Sequence, residues 1–138
     1  MDLLQEETFS LTIPDGWAVR RDEERVYLVS SQPPGVLCCT AQQVEQAEQL
    51  PNLSRMLAGF LTRTGHPVAT DELLRISNVA GGTGFCWQYF EEGTFHRIWI
   101  FGNHFSWLLW TFTSATADLD HFHPLLEGMI KSLILVQE

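Results

Sequence analysis

The sequence predicts an α+β domain in which a central antiparallel sheet of about six or seven strands is flanked by two main helices. Many short runs rich in β-branched and aromatic residues are separated by tight turns, which is typical of antiparallel hairpins. Two other segments repeat apolar residues at helical spacing, which is typical of amphipathic helices. The chain has 138 residues, so we expect a single domain over 1–138 with its own core.

Strands are predicted through most of the first third of the chain. Residues 9–13 alternate apolar and polar side chains, which predicts a strand with one buried face. Pro14 to Gly16 then form a turn, because proline presets φ and glycine accepts positive φ. Three further strands are predicted at hairpin spacing, as an antiparallel meander: 17–19, 25–30 and 36–41. Residues 42–50 fit a strand end, a loop or a short helical turn.

A first helix is predicted over about 51–64. Its apolar residues follow one helix face: Leu53, Met56, Leu57, Phe60 and Leu61. Pro51 near the start and Gly65 just past the end occupy the positions that these residues favour in helices. A second helix is predicted over about 120–134, near the end of the chain. Asp118 or Asp120 is expected to cap its N-terminus, and Pro124 to lie in its first turn, where proline is tolerated.

Four strands are predicted between these helices: 73–79, 85–90, 95–101 and 105–114. The first half of 73–79 also fits a short helix. Short turns that contain glycine or asparagine join the last three strands, which predicts consecutive hairpins. The glycine-rich segment 80–84 lacks the lysine of a phosphate-binding loop and the spacing of a dinucleotide fingerprint. We interpret it as a flexible connection between strands.

Aromatic side chains concentrate in the last three strands, and eleven of the sixteen lie between Phe85 and Phe112. Side chains alternate across a strand, so Trp107 and Leu109 share one face while Trp110 and Phe112 share the other. Both faces are therefore apolar and need cover. One interpretation is an α/β/α sandwich with a helix on each face; the other leaves part of one face open as an apolar groove for a partner. The candidate partner-binding aromatics are the tryptophans of these strands: Trp87, Trp99, Trp107 and Trp110.

Charge and terminal sequence restrict the function further. The net charge is −9 and Lys131 is the only lysine, so binding to nucleic acid or to an anionic membrane is not expected. The N-terminal residues lack the basic and apolar regions of a secretory signal, which favours a cytoplasmic location. No apolar run approaches the roughly 20 residues that a membrane-spanning helix needs.

The sequence contains no motif for which a reaction can be named, and no catalytic, cofactor-binding or metal-binding residue is predicted. Two imidazoles, His121 and His123, share a side only in an extended strand; on a helix they diverge by about 200°. Since a helix start is the better local prediction, we do not expect a metal there. The three cysteines, Cys38, Cys39 and Cys86, are expected to be small buried hydrophobic residues. Nothing in the sequence brings Cys86, as a nucleophile, together with His96 or His104 as its base.

The pattern resembles the PsbP-like or Mog-type domains. The resemblance lies in five features: the opening Phe9 to Trp17, the hairpin around Glu92 to Thr94, a strand with Arg97 and Trp99, a strand ending in Thr111 to Thr113, and a last helix ending at Lys131 to Leu133. It implies a central antiparallel sheet flanked by helices. It also implies a binding module, since the family contains a Ran-binding nuclear protein, photosystem subunits, envelope lipoproteins, small bacterial domains of unknown function and chaperones of type VI secretion effectors. It transfers no functional residue.

We therefore expect a non-enzymatic protein-binding module that requires no cofactor. Its partner is expected to be another protein, such as an apolar segment of a secretion effector or a basic toxin that an immunity protein neutralises, and a homodimer is a further expectation. The alternative is a small-molecule-binding protein or enzyme with a pocket between sheet and helix, and with His121 and His123 at its rim.

Overall fold

The computed structural model describes residues 2–44, 52–77 and 79–137, and it confirms the mixed α+β class. The elements in chain order are β1 Asp2–Gln5, β2 Phe9–Ile13, β3 Ala18–Arg21, β4 Arg25–Ser31, β5 Pro34–Gln43, α1 Leu53–Arg63, β6 Leu74–Ile76, β7 Thr83–Glu91, β8 Thr94–Gly102, β9 Ser106–Ala115, α2 Leu119–Ser132 and β10 Ile134–Leu135. Single 3₁₀ turns lie at Thr70–Glu72 and Thr116–Asp118.

Seven antiparallel strands form the main sheet in the order β3-β4-β5-β9-β8-β7-β6. The predicted meander of β3, β4 and β5 and the predicted hairpins of β7, β8 and β9 are confirmed. The two units join where β5 pairs with β9, a contact between strands far apart in the chain. The turn between β7 and β8 has Glu92 at φ 51° and Gly93 at φ 78°, the left-handed pair that a two-residue hairpin turn needs.

A second sheet of three strands, in the order β1-β2-β10, was not predicted. The strand predicted at 9–13 is β2, and it pairs with β1 and β10. β1 has four residues and β10 has two, which is too short for a periodic pattern to show. The alternation of β2 does show: Phe9, Leu11 and Ile13 are buried, and α2 packs against this strand.

One face of the main sheet, which we call the α2 face, packs against α2 and the small sheet. The large aromatic core lies here, with Phe95, Trp99, Phe101, Trp110 and Phe112 all 1% exposed or less. Trp99 and Trp110 are directly paired across β8 and β9 and meet edge to face, with 6.1 Å between ring centroids. Edge-to-face packing is favourable for aromatic rings, and it fills the space between the layers.

The opposite face, the α1 face, packs against α1. Ile98 and Ile100 of β8 are buried here against Leu57 and Leu61 of the helix. The side chain of Asn52 caps α1 by accepting a hydrogen bond from the backbone N–H of Arg55 at 3.1 Å. α1 lies mainly over β7 and β8, so it covers only part of this face.

Several predicted details of the elements differ in the structure. The strand predicted over 73–79 is only Leu74–Ile76. Pro51, which was predicted to lie near the start of the first helix, and most of 42–50 lie outside the described residues. α2 begins at Leu119, so Pro124 is its sixth residue and lies beyond the first turn. Asp118 precedes α2 without a side-chain capping bond and is the last residue of the 3₁₀ turn Thr116–Asp118, while Asp120 lies inside the helix.

The glycine-rich segment 80–84 has a steric explanation that chain flexibility does not supply. A Cβ at Gly81 would meet the backbone oxygen of Leu135, and one at Gly82 would meet the backbone oxygen of Gly102. At Gly84 it would lie 2.6 Å from the backbone oxygen of Ile100. The segment therefore packs closely against the backbones of β8 and β10.

Candidate partner-binding groove

The four candidate tryptophans separate into two pairs in the structure. Trp99 and Trp110 are each 1% exposed in the core of the α2 face, so neither presents a surface to a partner. Trp87 and Trp107 lie on the α1 face and are half-buried. Of the predicted set, only these two remain accessible.

An apolar groove runs between α1 and β9. Met56 and Phe60 of the helix form one wall, and Ile100, Trp107 and Leu109 of the sheet form the floor. Its volume is about 300 Å³, and it is open to solvent instead of enclosed. Because α1 lies over β7 and β8, it leaves the β9 side of the sheet exposed along this groove.

Beyond the groove, the same face continues over β9, β5 and β4 as a surface that we call the open sheet surface. The strand register places its residues in two cross-strand rows, Thr111-Cys38-Tyr27 and Thr113-Val36-Val29. Val36 is 40% exposed, and Cys38, Thr111 and Tyr27 are only partly buried. This surface is mixed in polarity, so the accessible apolar part of the α1 face lies mainly at the groove.

Two arginines of α1, Arg55 and Arg63, also line the groove. Both are exposed, and neither forms a salt bridge with any residue that the structure describes. Gly59 lies between them on the helix and lines the same groove. The groove thus combines an apolar floor with positive charge at its helical wall, in a chain whose net charge is −9.

The α2 face contains a buried cation, Arg97, for which the sequence analysis predicted no role. Arg97 donates from Nε and Nη2 to Oε1 of Gln88 at 2.9 and 2.6 Å, and its Nη1 lies 3.8 Å from Oε1 of Glu127. Its guanidinium lies over the rings of Phe95 and Trp99, at 5.2 and 5.7 Å from their centroids. Burial lowers the pKa of Arg97. These contacts satisfy the charge within the fold, so Arg97 is a structural residue.

Cys86 and His96, which were considered as a nucleophile and its base, lie on opposite faces of the main sheet. Cys86 pairs with Trp99 on the α2 face, whereas His96 pairs with Tyr89 on the α1 face and stacks on its ring at 4.7 Å. Burial raises the pKa of Cys86, which opposes formation of the reactive thiolate. Cys38, Cys39 and Cys86 are all free thiols, and only Cys39 is fully buried.

The two histidines of α2 are exposed on a helix, as the local sequence predicts. His123 follows His121 by two residues, so the two imidazoles leave the helix in different directions. Within 2–44, 52–77 and 79–137, no three potential ligands are close enough to hold a metal ion. His121 does line an open groove of about 510 Å³, together with Trp17, Ser30 and Leu125. This groove is the place where the alternative of a small-molecule site would apply.

Acidic residues gather at the end of the sheet where β3 turns into β4. They surround an open groove and are accompanied by Arg21 and Arg25: Glu6, Glu7, Asp22, Glu23 and Glu24. Asp22 orders the turn, since its carboxylate accepts hydrogen bonds from the backbone N–H groups of Glu24 and Arg25. These backbone bonds lower the pKa of Asp22. A salt bridge of 3.2 Å joins Arg21 to Glu6 and neutralises part of this acidic end.

Comparison with known proteins shows similarity in fold alone. No protein-family profile and no curated protein sequence matches the chain. A protein from Bacteroides thetaiotaomicron is structurally similar, with a TM-score of 0.61 and 15% identity over 94% of this chain; the match spans 46% of that protein's length. LpqN, involved in cell envelope biogenesis of Mycobacterium tuberculosis, is similar with a TM-score of 0.63 and 9% identity, over 93% of this chain and 83% of LpqN.

None of the helices in the described part of the chain has both the length and the apolar character needed to cross a membrane.

Proposed function

We propose that this chain is a non-enzymatic protein-binding module of the PsbP-like or Mog-type fold, and that the groove between α1 and β9 holds an apolar segment of another protein. The observation that carries the proposal is the incomplete cover of a doubly apolar sheet. α1 covers β7 and β8, while Trp107 and Leu109 line an accessible groove beside it. Accessible apolar surface of this kind is typical of interaction sites.

The form of the groove favours a protein segment over a small molecule. It is open along the face of the sheet, and its floor consists of Ile100, Trp107 and Leu109, none of which is a catalytic group. Sites for small ligands usually enclose most of the ligand and place a few polar groups around it. An extended or helical protein segment that buries only one of its sides fits an open groove better.

This proposal includes an accessory role in bacterial secretion, with the chain acting as a cytoplasmic chaperone for a secretion effector. A second role, that of an immunity protein, rests on the acidic end around Asp22, because a basic toxin surface is complementary to such charge. The two roles use different surfaces and respond differently to salt. Charge-steered association slows steeply as ionic strength rises, whereas the apolar contribution to binding in a groove does not depend steeply on it.

Affinity capture from the native cell with two matched variants tests the proposal. Phe60→Glu places a charge in the groove, whereas Phe90→Glu makes the same change at a residue that is 53% exposed away from it. We expect the wild type and Phe90→Glu to capture the same partner, and Phe60→Glu to lose it. Mass spectrometry identifies the partner, and thermal unfolding shows whether each variant is folded.

If Phe60→Glu still captures the partner and its association slows steeply with salt, the binding site is the acidic end around Asp22 and not the groove. Sedimentation of the wild type extends the test to self-association. A dimer that Phe60→Glu dissociates would identify a second copy of the chain as the occupant of the groove.

A further inference from the structure

Two arginines give the helical wall of the groove positive charge at two points along α1. Arg55 and Arg63 are eight residues apart on α1, which corresponds to about 12 Å along the helix axis. Met56 and Phe60 lie between them and the sheet and form the apolar wall. Both guanidiniums are exposed, and neither has an acidic partner among the described residues.

Gly59, between the two arginines, is a glycine that the fold itself does not require. It lies in the interior of α1, where glycine destabilises a helix relative to alanine. A Cβ at Gly59 would meet only Nη1 of Arg63, at 3.4 Å, which is the far end of a flexible side chain. The missing side chain leaves space on the groove side of the helix, where a second backbone can approach α1 closely.

We infer that the occupant of the groove is an acidic amphipathic helix, which crosses α1 at Gly59 and pairs its carboxylates with Arg55 and Arg63. This inference rests on the proposed function and adds the chemistry of the partner. The apolar face of such a helix would cover Phe60, Trp107 and Leu109. Acidic residues about eight positions apart on its flank would match the spacing of the two arginines. The negative charge elsewhere on the chain would disfavour acidic ligands at other sites.

Three synthetic peptides of about 20 residues test the inference by fluorescence anisotropy with the full chain. All carry the same stripe of leucines at helical spacing, and they differ only at two flanking positions eight residues apart: Glu in the first, Gln in the second and Lys in the third. We expect the Glu peptide to bind roughly three- to tenfold more tightly than the Gln peptide at low salt, and the Lys peptide more weakly still. The preference should shrink as ionic strength rises.

Variants of the chain locate the binding. Arg55→Ala with Arg63→Ala should abolish the preference for Glu over Gln, whereas Arg75→Ala, at an exposed arginine on β6, should leave it unchanged. Gly59→Ala should raise Tm by roughly 2–4 °C and yet weaken binding of the Glu peptide. Gly128→Ala on α2, where a Cβ would meet nothing within 4 Å, should raise Tm without affecting binding.

The outcomes separate this inference from the proposed function. Equal binding of the Glu and Gln peptides, lost in Phe60→Glu, would overturn the acidic partner and leave the apolar groove in place. Unweakened binding by Gly59→Ala would overturn the close crossing at that residue. Failure of all three peptides to bind would overturn both the inference and the proposed function.

Discussion

At the scale of single residues, alternation along a strand decides which face a side chain occupies, and neighbouring elements decide how far it is buried. Trp107 and Trp110 lie on opposite faces of β9, as their spacing predicts. Trp110 is 1% exposed because α2 and the small sheet cover its face. Trp107 stays half-buried because α1 lies over β7 and β8 instead. The same residue type is thus core in one case and candidate binding surface in the other.

The three thiols should report these differences in burial. Burial raises the pKa of all three, and that of Cys39, which is 2% exposed, is raised most. The thiolate is the form that attacks a thiol reagent, so at about pH 8 we expect Cys38 and Cys86 to react more slowly than an unburied cysteine, and Cys39 only after unfolding. The rate at Cys38 should rise as the pH increases toward its raised pKa. Absorbance with a chromogenic disulfide reagent measures this.

Variants that keep one cysteine each assign the rates, and urea provides the control in which all three thiols react. Modification of Cys39 in the folded protein at a rate similar to that of Cys38 would contradict the buried position of Cys39.

At the scale of elements, the shortest strand, β10, is held in place by contacts between residues far apart in the chain, which no local sequence pattern indicates. The side chain of Asn103, in the turn between β8 and β9, donates hydrogen bonds to the backbone oxygens of Gly81 and Val136, at 3.0 and 2.9 Å. Its own oxygen accepts from the backbone N–H groups of Phe105 and Ser106. One asparagine therefore joins this turn to the segment before β7 and to the chain after β10.

Two glycines with the same backbone conformation should separate the effect of φ from the effect of close contact. Gly16 and Gly81 both have φ of 85°, but only at Gly81 would a Cβ meet another backbone atom, the oxygen of Leu135. We expect Gly16→Ala to lower the free energy of unfolding by about 1 kcal/mol, through the left-handed φ alone. Gly81→Ala should lower it by about 2–4 kcal/mol, because the clash adds to the same φ.

Urea unfolding monitored by tryptophan fluorescence measures both free energies. Equal losses for Gly16→Ala and Gly81→Ala would contradict the close packing of Gly81 against Leu135 of β10.

At the scale of the whole molecule, acidic residues lie in the turns at both ends of the sheet, while apolar residues predominate on its faces. The turn that contains Glu23 lies at one end of the sheet, and the turn that contains Glu92 lies at the other. Both side chains are exposed, and the net charge of the chain is −9. Such an excess of one sign repels itself and destabilises the compact state.

Salt should therefore stabilise the folded protein. Raising the NaCl concentration from about 20 mM to about 500 mM shortens the range of the repulsion, and we expect Tm to rise by a few degrees. Differential scanning calorimetry measures the shift, and the double variant Glu23→Gln with Glu92→Gln should show a smaller one. A Tm that falls with salt would mean that attractive ion pairs, such as Arg21 with Glu6, outweigh the repulsion.

Much of the fold could be predicted because its signals are local. The period of apolar residues changes from two in the strands to 3.6 in α1 and α2, and the turns carry the glycines that left-handed φ requires. The candidate site was predictable only in part. Alternation places Trp107 on a face that needs cover, but where α1 lies on that face depends on packing between elements distant in the chain. No local signal marks the burial of Arg97 or the roles that we propose for Arg55, Gly59 and Arg63.

The α+β class, the hairpin pairs and the two apolar faces of the central strands could be read from the residues alone, because hydrophobic period and turn chemistry act between near neighbours. The tertiary packing places β2 outside the main sheet with β1 and β10, pairs β5 with β9, and lays α1 mainly over β7 and β8 so that it covers β9 only in part. These arrangements depend on how much apolar area each packing buries and on steric fit between distant segments. The groove beside Trp107 is a result of that packing.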